Sequence, residues 1–555
     1  MRSVAFVGGG PTTIYTLHAL VDKASRPFAV TIFEEQSALG RGTPYRPGWN
    51  DPAMLSNIAS IEIPPLEQTL VDWLHEQSDA ALAALDVDRD KIGERTFYPR
   101  LVLGEFFHSQ SGKLLERART LGIQVTVRTR CRVRDVANTP DGMILTIQPN
   151  RGEVSQERFD HVVLATGHQW PATPEVRPGY FLSPWPASNL AQIPPCEVGI
   201  RGTSLTAIDA MVALAGAHGE FADRDGGSLE YRPAAGSDAF HITMMSRKGL
   251  LPEADFYAPI PYEPLSICTE PAIDALIAET DDDLLDRAFA LFKAELAAAD
   301  PDYAARMGLP DVGLEEFHDR YFAPRAHSDP FAWAAANLAE AQRNYAGKVT
   351  VAWRYAILRM HEVIERLVPH FESRDYERFS KWFKPVFVDD YATVPHKSIR
   401  RMLALHQAGK LDILAIGDKY RIDSYCPEGG AELQFEGQSR SFPVFIEAMG
   451  QKALPAREFP FPSLIRQGII HDYAAGARGP ARGIAIDEAF HPISDDIPAE
   501  RLFCLSLPFI LGRHPFHQGI TSSHEMGLSV GRELAGVIDT GDVAPAMAET
   551  AAARP

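Results

Sequence analysis

Ser3-Val-Ala-Phe-Val7, Gly8-Gly9-Gly10-Pro11-Thr12-Thr13, Ile14-Tyr-Thr-Leu-His-Ala-Leu-Val21 and Phe28-Ala-Val-Thr-Ile-Phe33-Glu34-Glu35 decide how this chain folds. The order is apolar strand, glycine turn, helix, second strand, acid. That order is the dinucleotide-binding fingerprint. Gly8 makes the tight turn, and Gly10 lets the backbone come close to a pyrophosphate. The following helix offers unpaired N–H groups and partial positive charge to the phosphates. Glu34, at the end of the second strand, is placed to accept hydrogen bonds from a ribose diol. Thr13 stands where Gly or Ala is usual, so helix and strand are expected to pack slightly less closely.

The grammar continues outward. Leu39-Gly40-Arg41-Gly42-Thr43-Pro44-Tyr45 is a glycine-rich loop, and an amphipathic helical stretch is expected from Gln68 to about Leu85. A helix opens near Arg100 and runs to Gly122. Ile123 to Val127 is a strand. Alternating runs at Cys131–Val136 and Met143–Ile147 flank an Asn-Thr-Pro-Asp-Gly turn. Asp160-His-Val-Val-Leu-Ala-Thr166-Gly167-His168 is a buried strand running into a glycine.

A second unit repeats this plan. Cys196–Arg201 is a strand, Gly202-Thr203-Ser204-Leu-Thr-Ala-Ile-Asp209 turns into an apolar helix, and Phe240–Met245 is the next strand. That strand ends on Ser246-Arg247-Lys248 rather than on an acid. Leu411–Ile416 and Phe442-Pro-Val-Phe-Ile-Glu-Ala-Met449-Gly450 close the unit as Val-Val-Leu-Ala-Thr-Gly closes the first. Between the halves lies a run of apolar residues at i, i+3, i+4 and i+7 spacing, which predicts a helical insertion covering the cleft. The fold class is therefore α/β, with two Rossmann-like units, β-meanders and a helical insertion. The expected division is 1–185 with 455–540, then 186–272 with 411–454, an insertion at 273–410, and a flexible tail at 541–555. Near the end, Gly512-Arg-His514-Pro-Phe-His517-Gln518-Gly519-Ile520-Thr521 precedes a helix expected from about Ser523, with Thr521 or Ser522 as its N-cap.

Composition bounds the function. At 555 residues the chain exceeds one hydrophobic core. Its net charge of −19 argues against a nucleic-acid or anionic-membrane partner. No apolar run reaches the length of a membrane span. With a strand expected from residue 3, no signal peptide is expected. Five widely spaced cysteines without a CxxC suit reduced thiols and exclude a zinc ribbon or a sequence-local redox dithiol. The expected compartment is the cytoplasm.

Val4-Ala-Phe-Val-Gly-Gly-Gly-Pro11, Gly40-Arg-Gly-Thr-Pro-Tyr45, Leu55-Ser-Asn57-Ile, Arg100…Gly104, Ala165-Thr-Gly-His168, Gly202–Asp209 and Ser246-Arg-Lys-Gly-Leu-Leu-Pro252 span most of the chain. In these the chain resembles the bacterial FAD/NAD(P)-binding flavoproteins, and more distantly the class B and N-hydroxylating flavin monooxygenases. The resemblance implies FAD in the first unit, with Gly8, Gly9, Gly10, Pro11 and Thr12 at the pyrophosphate and Glu34 on the adenosine ribose. It implies Arg41, Gly42 and Asn57 near the flavin, and Thr166 and Gly167 at the crossing between domains. It also implies that Gly519, Ile520 and Thr521 present helix N–H groups to the flavin pyrimidine. The second unit would hold a nicotinamide cofactor on Gly202, Thr203 and Ser204. Arg247 and Lys248 suit a 2′-phosphate, so NADPH is expected over NADH.

In such an architecture the cofactors carry the hydride transfer and the protein orients them. His168 and Asn57 are the candidate catalytic residues. His514 and His517 could suggest a metal, but with no carboxylate or cysteine nearby in sequence no metal is expected. Asp209 and Asp255 are either ordinary surface acids or binders of a substrate ammonium. The expected activity is an FAD-dependent, NADPH-using monooxygenase acting on an amine or another small polar metabolite. The alternatives are a flavin-dependent dehydrogenase or reductase without a stable oxygen adduct, and a non-catalytic FAD-binding partner protein.

Overall fold

The computed structural model describes residues 1–169, 175–224, 227–279, 283–473, 482–494, 499–517 and 519–540. The expected flexible tail, 541–555, lies outside the described residues.

The chain begins β1 (Ser3–Val7), α1 (Pro11–Lys23), β2 (Ala29–Phe33). The single helix expected over 68–85 is two, α2 (Leu70–His75) and α3 (Asp79–Ala84). The break has a local cause: Ser78 is an N-cap whose hydroxyl accepts from the Ala81 N–H, which starts a new helix in the middle of the amphipathic run. Next come α4 (Arg100–Thr120), β3 (Gln124–Arg128), a meander of β4 (Cys131–Thr139), β5 (Gly142–Pro149) and β6 (Ser155–Phe159), and β7 (His161–Leu164). β8 (Glu175–Arg177), β9 (Tyr180–Phe181) and α5 (Ala187–Leu190) lead to the second repeat.

That repeat runs β10 (Glu197–Arg201), α6 (Leu205–His218), the hairpin β11 (Gly219–Asp223) and β12 (Leu229–Pro233), then β13 (His241–Ser246). The insertion follows as α7 (Glu270–Glu279), α8 (Leu284–Ala299), α9 (Pro301–Met307), α10 (Leu314–Ala326), α11 (Pro330–Gly347), α12 (Ala352–Glu365), α13 (Ser373–Arg378), α14 (Lys384–Tyr391) and α15 (His396–Gln407). β14 (Leu411–Ala415), a second meander of β15 (Tyr420–Asp423), β16 (Ala431–Phe435) and β17 (Gln438–Phe442), and β18 (Val444–Glu447) complete the repeat. The chain then returns through α16 (Pro462–Arg466), β19 (Leu502–Cys504), α17 (Leu507–Ile510) and α18 (Ile520–Thr540).

The two large sheets share one strand order. The first is β19-β7-β1-β2-β3, and the second is β14-β13-β10-β18-β9-β8. The series β7-β1-β2-β3 and β18-β10-β13-β14 correspond strand for strand, and every pairing within each series is parallel. The inner strands β1, β7, β10, β13 and β18 are buried on both faces and read as continuous apolar runs, whereas β3 and β14 carry exposed polar residues.

The insertion fills the crossover from β13 to β14 and divides between two cores. Phe331, Ala334 and Leu338 of α11, with Ile399, Met402 and Leu405 of α15, pack into the core of the second sheet. The rest builds its own core around Phe289, Phe292, Phe317, Phe379, Phe383 and Phe387. Phe516, from the loop before α18, inserts among these rings, with centroids 5.6 Å from Phe387 and 6.1 Å from Phe379. Burying such a ring contributes roughly 1.5–3 kcal/mol. That contact anchors the C-terminal loop on the insertion.

Candidate functional site

The first glycine turn has no room for side chains. Gly8 has φ +104°, and a Cβ there would lie 2.2 Å from the Ala165 carbonyl oxygen. Its N–H donates to Phe33 O at 2.9 Å. The Gly9 N–H donates to Glu34 Oε2 at 2.8 Å and the Gln36 N–H to Glu34 Oε1 at 2.7 Å, so the acid is held at the turn. Burial raises the Glu34 carboxyl, and these two N–H groups partly offset it. Thr13 is buried, and its hydroxyl donates to Gly8 O at 2.7 Å. The departure from glycine at the third position thus ties the helix back onto the turn. Pro11 opens α1, where its missing N–H costs nothing.

The second turn reproduces the first. Gly202 has φ +138°, and a Cβ there would lie 2.3 Å from the Ala448 carbonyl oxygen. Its N–H donates to Met245 O at 2.8 Å, and the Ala448 N–H donates to Arg201 O at 2.9 Å, as the Ala165 N–H donates to Val7 O at 2.9 Å. Gly202 is therefore the counterpart of Gly8, and Ala448 of Ala165. Ser204 is the N-cap of α6, and its side chain makes no cap hydrogen bond. Thr203 is buried beside it.

A third backbone terminus joins these turns. α18 packs along α1 through glycines: a Cβ at Gly527 would lie 2.8 Å from Thr16 N, and one at Gly531 would lie 2.6 Å from Ala19 Cβ. The two helices begin together, with the Thr12 hydroxyl donating to Ser523 Oγ at 3.0 Å. The Ser523 N–H donates to Gly519 O at 3.1 Å, and the helix starts at Ile520. The expected start near Ser523 is thus corrected by one turn. Thr521 and Ser522 are first-turn residues and not caps, because a glycine carbonyl already takes the first helical bond.

All three termini open onto one cleft of about 1710 Å³, larger than the roughly 300–1,000 Å³ of a single small-ligand pocket. Gly8, Gly9, Gly10, Pro11, Thr12, Glu34, Arg41, Gly42, Asn57, Thr166, Gly167, His168, Gly202, Thr203, Ser204, Gly519, Ile520 and Thr521 all line it. A Cβ on Gly10 would meet Gly42 Cα at 3.3 Å, so the two loops close on each other without side chains. Two turns that each open on a glycine with no room for a Cβ, an acid at the first and space for extended ligands fit dinucleotides. Arg41 is held by Glu105 at 2.8 Å, and the Thr166 hydroxyl lies 2.8 Å from Ser506 Oγ. Burial, with Arg100 nearby, pushes the His168 imidazole down to about 4, so the ring is neutral at pH 7.

Three expectations are corrected. Lys248 does not line the cleft: its Nζ lies 2.9 Å from His318 Nε2 and 3.6 Å from the Phe322 ring centroid, both on α10. The insertion captures that cation, and burial lowers it to about 8. Arg247, by contrast, keeps its guanidinium largely exposed at the end of β13, 3.6 Å from Asp418, and stays the candidate for a 2′-phosphate. Asp209 is not a surface acid, being buried against Arg100 at 2.8 Å, and burial raises it to about 6 against the pull of that guanidinium. Asp255 is half-buried and hydrogen-bonded by Tyr345 and Thr393.

The third correction concerns the histidine pair. A carboxylate does stand beside His514 and His517: Glu365, at the end of α12, with Oε2 2.8 Å from His517 Nδ1 and 3.7 Å from His514 Nδ1. Burial would raise the Glu365 carboxyl, but His517 and His514 outweigh it and hold it well below the usual carboxylate range. His517 is raised, its burial outweighed by the Glu365 charge. Glu362, Glu365, Tyr391, His517 and Glu525 form one wall of the cleft. Burial, then the charge of Glu362, pushes Glu525 up to about 7. Sequence reasoning missed this wall because α12 shows only helical periodicity, and nothing local marks Glu365 as facing a loop far along the chain.

Residues 5–169 match the family described as FAD-NAD(P)-binding, and residues 269–391 match the YdhS-like middle domain. Over 534 residues the chain is 41% identical to the uncharacterized protein YdhS of Escherichia coli (strain K12), covering 96% of this chain and 97% of that protein. Among solved structures, the ornithine N-hydroxylase of Kutzneria sp. 744 is similar at TM-score 0.47 and 12% identity, over 96% of this chain and 98% of that one. The cadaverine monooxygenase DfoA of Erwinia amylovora is similar at TM-score 0.48 and 12% identity, over 97% of this chain and 95% of that one. Likenesses of that order carry no chemistry from one chain to another. With the glycine turn at its head, the helical domain in its middle and a relative matched almost end to end, the chain belongs to the YdhS family of FAD/NAD(P)-binding flavoproteins.

Proposed function

We propose that the chain is an FAD-dependent, NADPH-using monooxygenase that hydroxylates an amine or another small polar metabolite. The observation that carries this reading is the convergence of the Gly8 turn, the Gly202 turn and the first turn of α18 on one cleft. Gly8–Thr12 and Glu34 would hold the FAD pyrophosphate and ribose. Gly202–Ser204 would hold the nicotinamide dinucleotide, and Gly519–Thr521 would offer N–H groups to the flavin ring. Bound there, the two cofactors supply hydride transfer and the activation of oxygen.

The chain's own residues do the rest. The buried Arg100–Asp209 pair fixes α4 against α6 and so sets one turn relative to the other. His168, neutral at pH 7, lines the cleft as the candidate catalytic imidazole. Asn57, exposed on the cleft wall, offers an amide to a polar substrate. Glu362 and Glu525 face the same space from the insertion and from α18, and suit a substrate ammonium. The reading is tested by incubating the FAD-loaded protein with NADPH, air and a panel of primary amines and amino acids. NADPH oxidation stimulated by one amine, with one oxygen atom added to it by mass spectrometry, supports the proposal. Amine-independent oxidation that releases only hydrogen peroxide favours the reductase alternative.

A further inference from the structure

We propose that Glu365, His514 and His517 form a binding site for one divalent transition-metal ion, Zn²⁺ in its simplest form, on the insertion side of the cleft. The three side chains come from two separate parts of the chain, and their ligand atoms all lie within 4.8 Å of one another. Ligands on a tetrahedral zinc, each about 2.1 Å from the metal, are roughly 3.4 Å apart. His517 Nδ1 and His514 Nδ1 stand 2.8 and 3.7 Å from Glu365 Oε2, on either side of that spacing.

An ion pair alone leaves this trio incompletely explained. One imidazolium would neutralise one carboxylate, yet two imidazoles converge on the same oxygen. His517 Nδ1 is buried 2.8 Å from Oε2 and yet makes no hydrogen bond among the described residues. A cation between the three groups would use the Nδ1 lone pair that the ion pair leaves idle.

The surroundings are built as a metal site's outer shell is built. The Phe516 N–H donates to the other carboxylate oxygen, Oε1, at 2.9 Å and so turns Oε2 toward the histidines. Phe516 itself is locked in the aromatic core of the insertion, and the His514 ring stacks on Phe490 at 5.2 Å. Glu365 and His517 both line the cleft, which leaves a coordination position open to water or to an anionic group of a ligand. The donor set, two imidazoles and one carboxylate, suits zinc, cobalt(II) or iron(II) over magnesium or calcium.

The test uses untagged, FAD-loaded protein stripped with a chelator and then titrated with Co²⁺, and with Zn²⁺ against a chromogenic chelator. The expected result is one saturable equivalent. His514→Gln and His517→Gln, which keep a polar side chain of similar reach, should each weaken it by about 100-fold or more, since even outer-shell losses cost about 10–100-fold. Their FAD content and circular dichroism should match the wild type. X-ray absorption at the zinc edge of the wild-type protein, which depends on no variant folding, should read two imidazoles and oxygen ligands. No stoichiometric uptake, uptake that both variants leave unchanged, or a first shell without two imidazoles would each overturn the proposal.

Discussion

Arg100 Nη2 and Asp209 Oδ2 meet at 2.8 Å, with the guanidinium 13% and the carboxylate 5% exposed. Arg100 is the first residue of α4, on the first sheet, and Asp209 lies in α6, the helix that follows the Gly202 turn. The Arg100 Nε–H also donates to Leu55 O at 3.1 Å, which ties the pair to the loop that carries Asn57. Removing one member of such a pair leaves the other charged and unpaired. Asp209→Ala is therefore expected to destabilise the protein by about 3–5 kcal/mol, whereas the double replacement Arg100→Met/Asp209→Leu should recover most of that loss. Urea unfolding of the single and double variants measures both numbers.

Gly202 and Gly8 occupy matching positions, each with a carbonyl oxygen where a Cβ would stand. A side chain at either is strained by about 1–3 kcal/mol from φ alone, before the clash. Gly202→Val should keep FAD and lose NADPH-dependent reduction by about 100-fold or more, a barrier near 2.7 kcal/mol. Gly8→Val should purify without FAD. Flavin absorbance and single-turnover reduction rates separate the two outcomes.

The NADPH preference is expected to rest on Arg247 and not on Lys248. The ammonium of Lys248 is taken by His318 and Phe322, while Arg247 keeps its guanidinium in solvent. Arg247→Ala should raise KM for NADPH about tenfold with KM for NADH unchanged, the loss of a charge-assisted contact to a phosphate being worth about 1.4 kcal/mol. Lys248→Ala should alter neither. Steady-state kinetics with both nucleotides checks the pair.

His161 and His168 are both lowered to about 4, chiefly by burial. Below an unfolded value near 6.5 the unfolded state binds more protons than the folded one, so stability falls as the pH drops from about 6.5 to about 4 and is fully present above that window. For His161, buried in β7, the contribution is on the order of 3 kcal/mol. Urea midpoints measured between about pH 4.5 and pH 7 should show a shallower decline in His161→Asn than in the wild type.

The repeated architecture was readable because each repeat announces itself locally. Strand, glycine and helix adjoin at Val7-Gly8-Pro11 and at Arg201-Gly202-Leu205, and both repeats close on a small residue before a glycine. The start of α18 is not legible locally, because a glycine carbonyl caps it and Thr521-Ser522 is the stronger local signal. What lay outside the sequence's reach was contact between distant elements: Arg100 with Asp209, Lys248 with α10, and Glu365 with His514 and His517. Each joins residues whose own neighbourhoods show only helical periodicity or a polar turn, so nothing local marks them as partners. The acids Asp209 and Asp255 were legible as candidates, but their burial depends on packing that no short window encodes.

If both glycine turns hold dinucleotides in one cleft, a hydride passes there from the nicotinamide to the flavin. Rapid mixing of the FAD-loaded protein with NADPH in the absence of air tests it most directly. Full bleaching of the visible flavin absorbance is expected, in a single phase whose rate saturates with NADPH and is lost in Gly202→Val. An oxidised spectrum unchanged by either NADPH or NADH would contradict it and leave a flavoprotein whose second turn serves the fold alone.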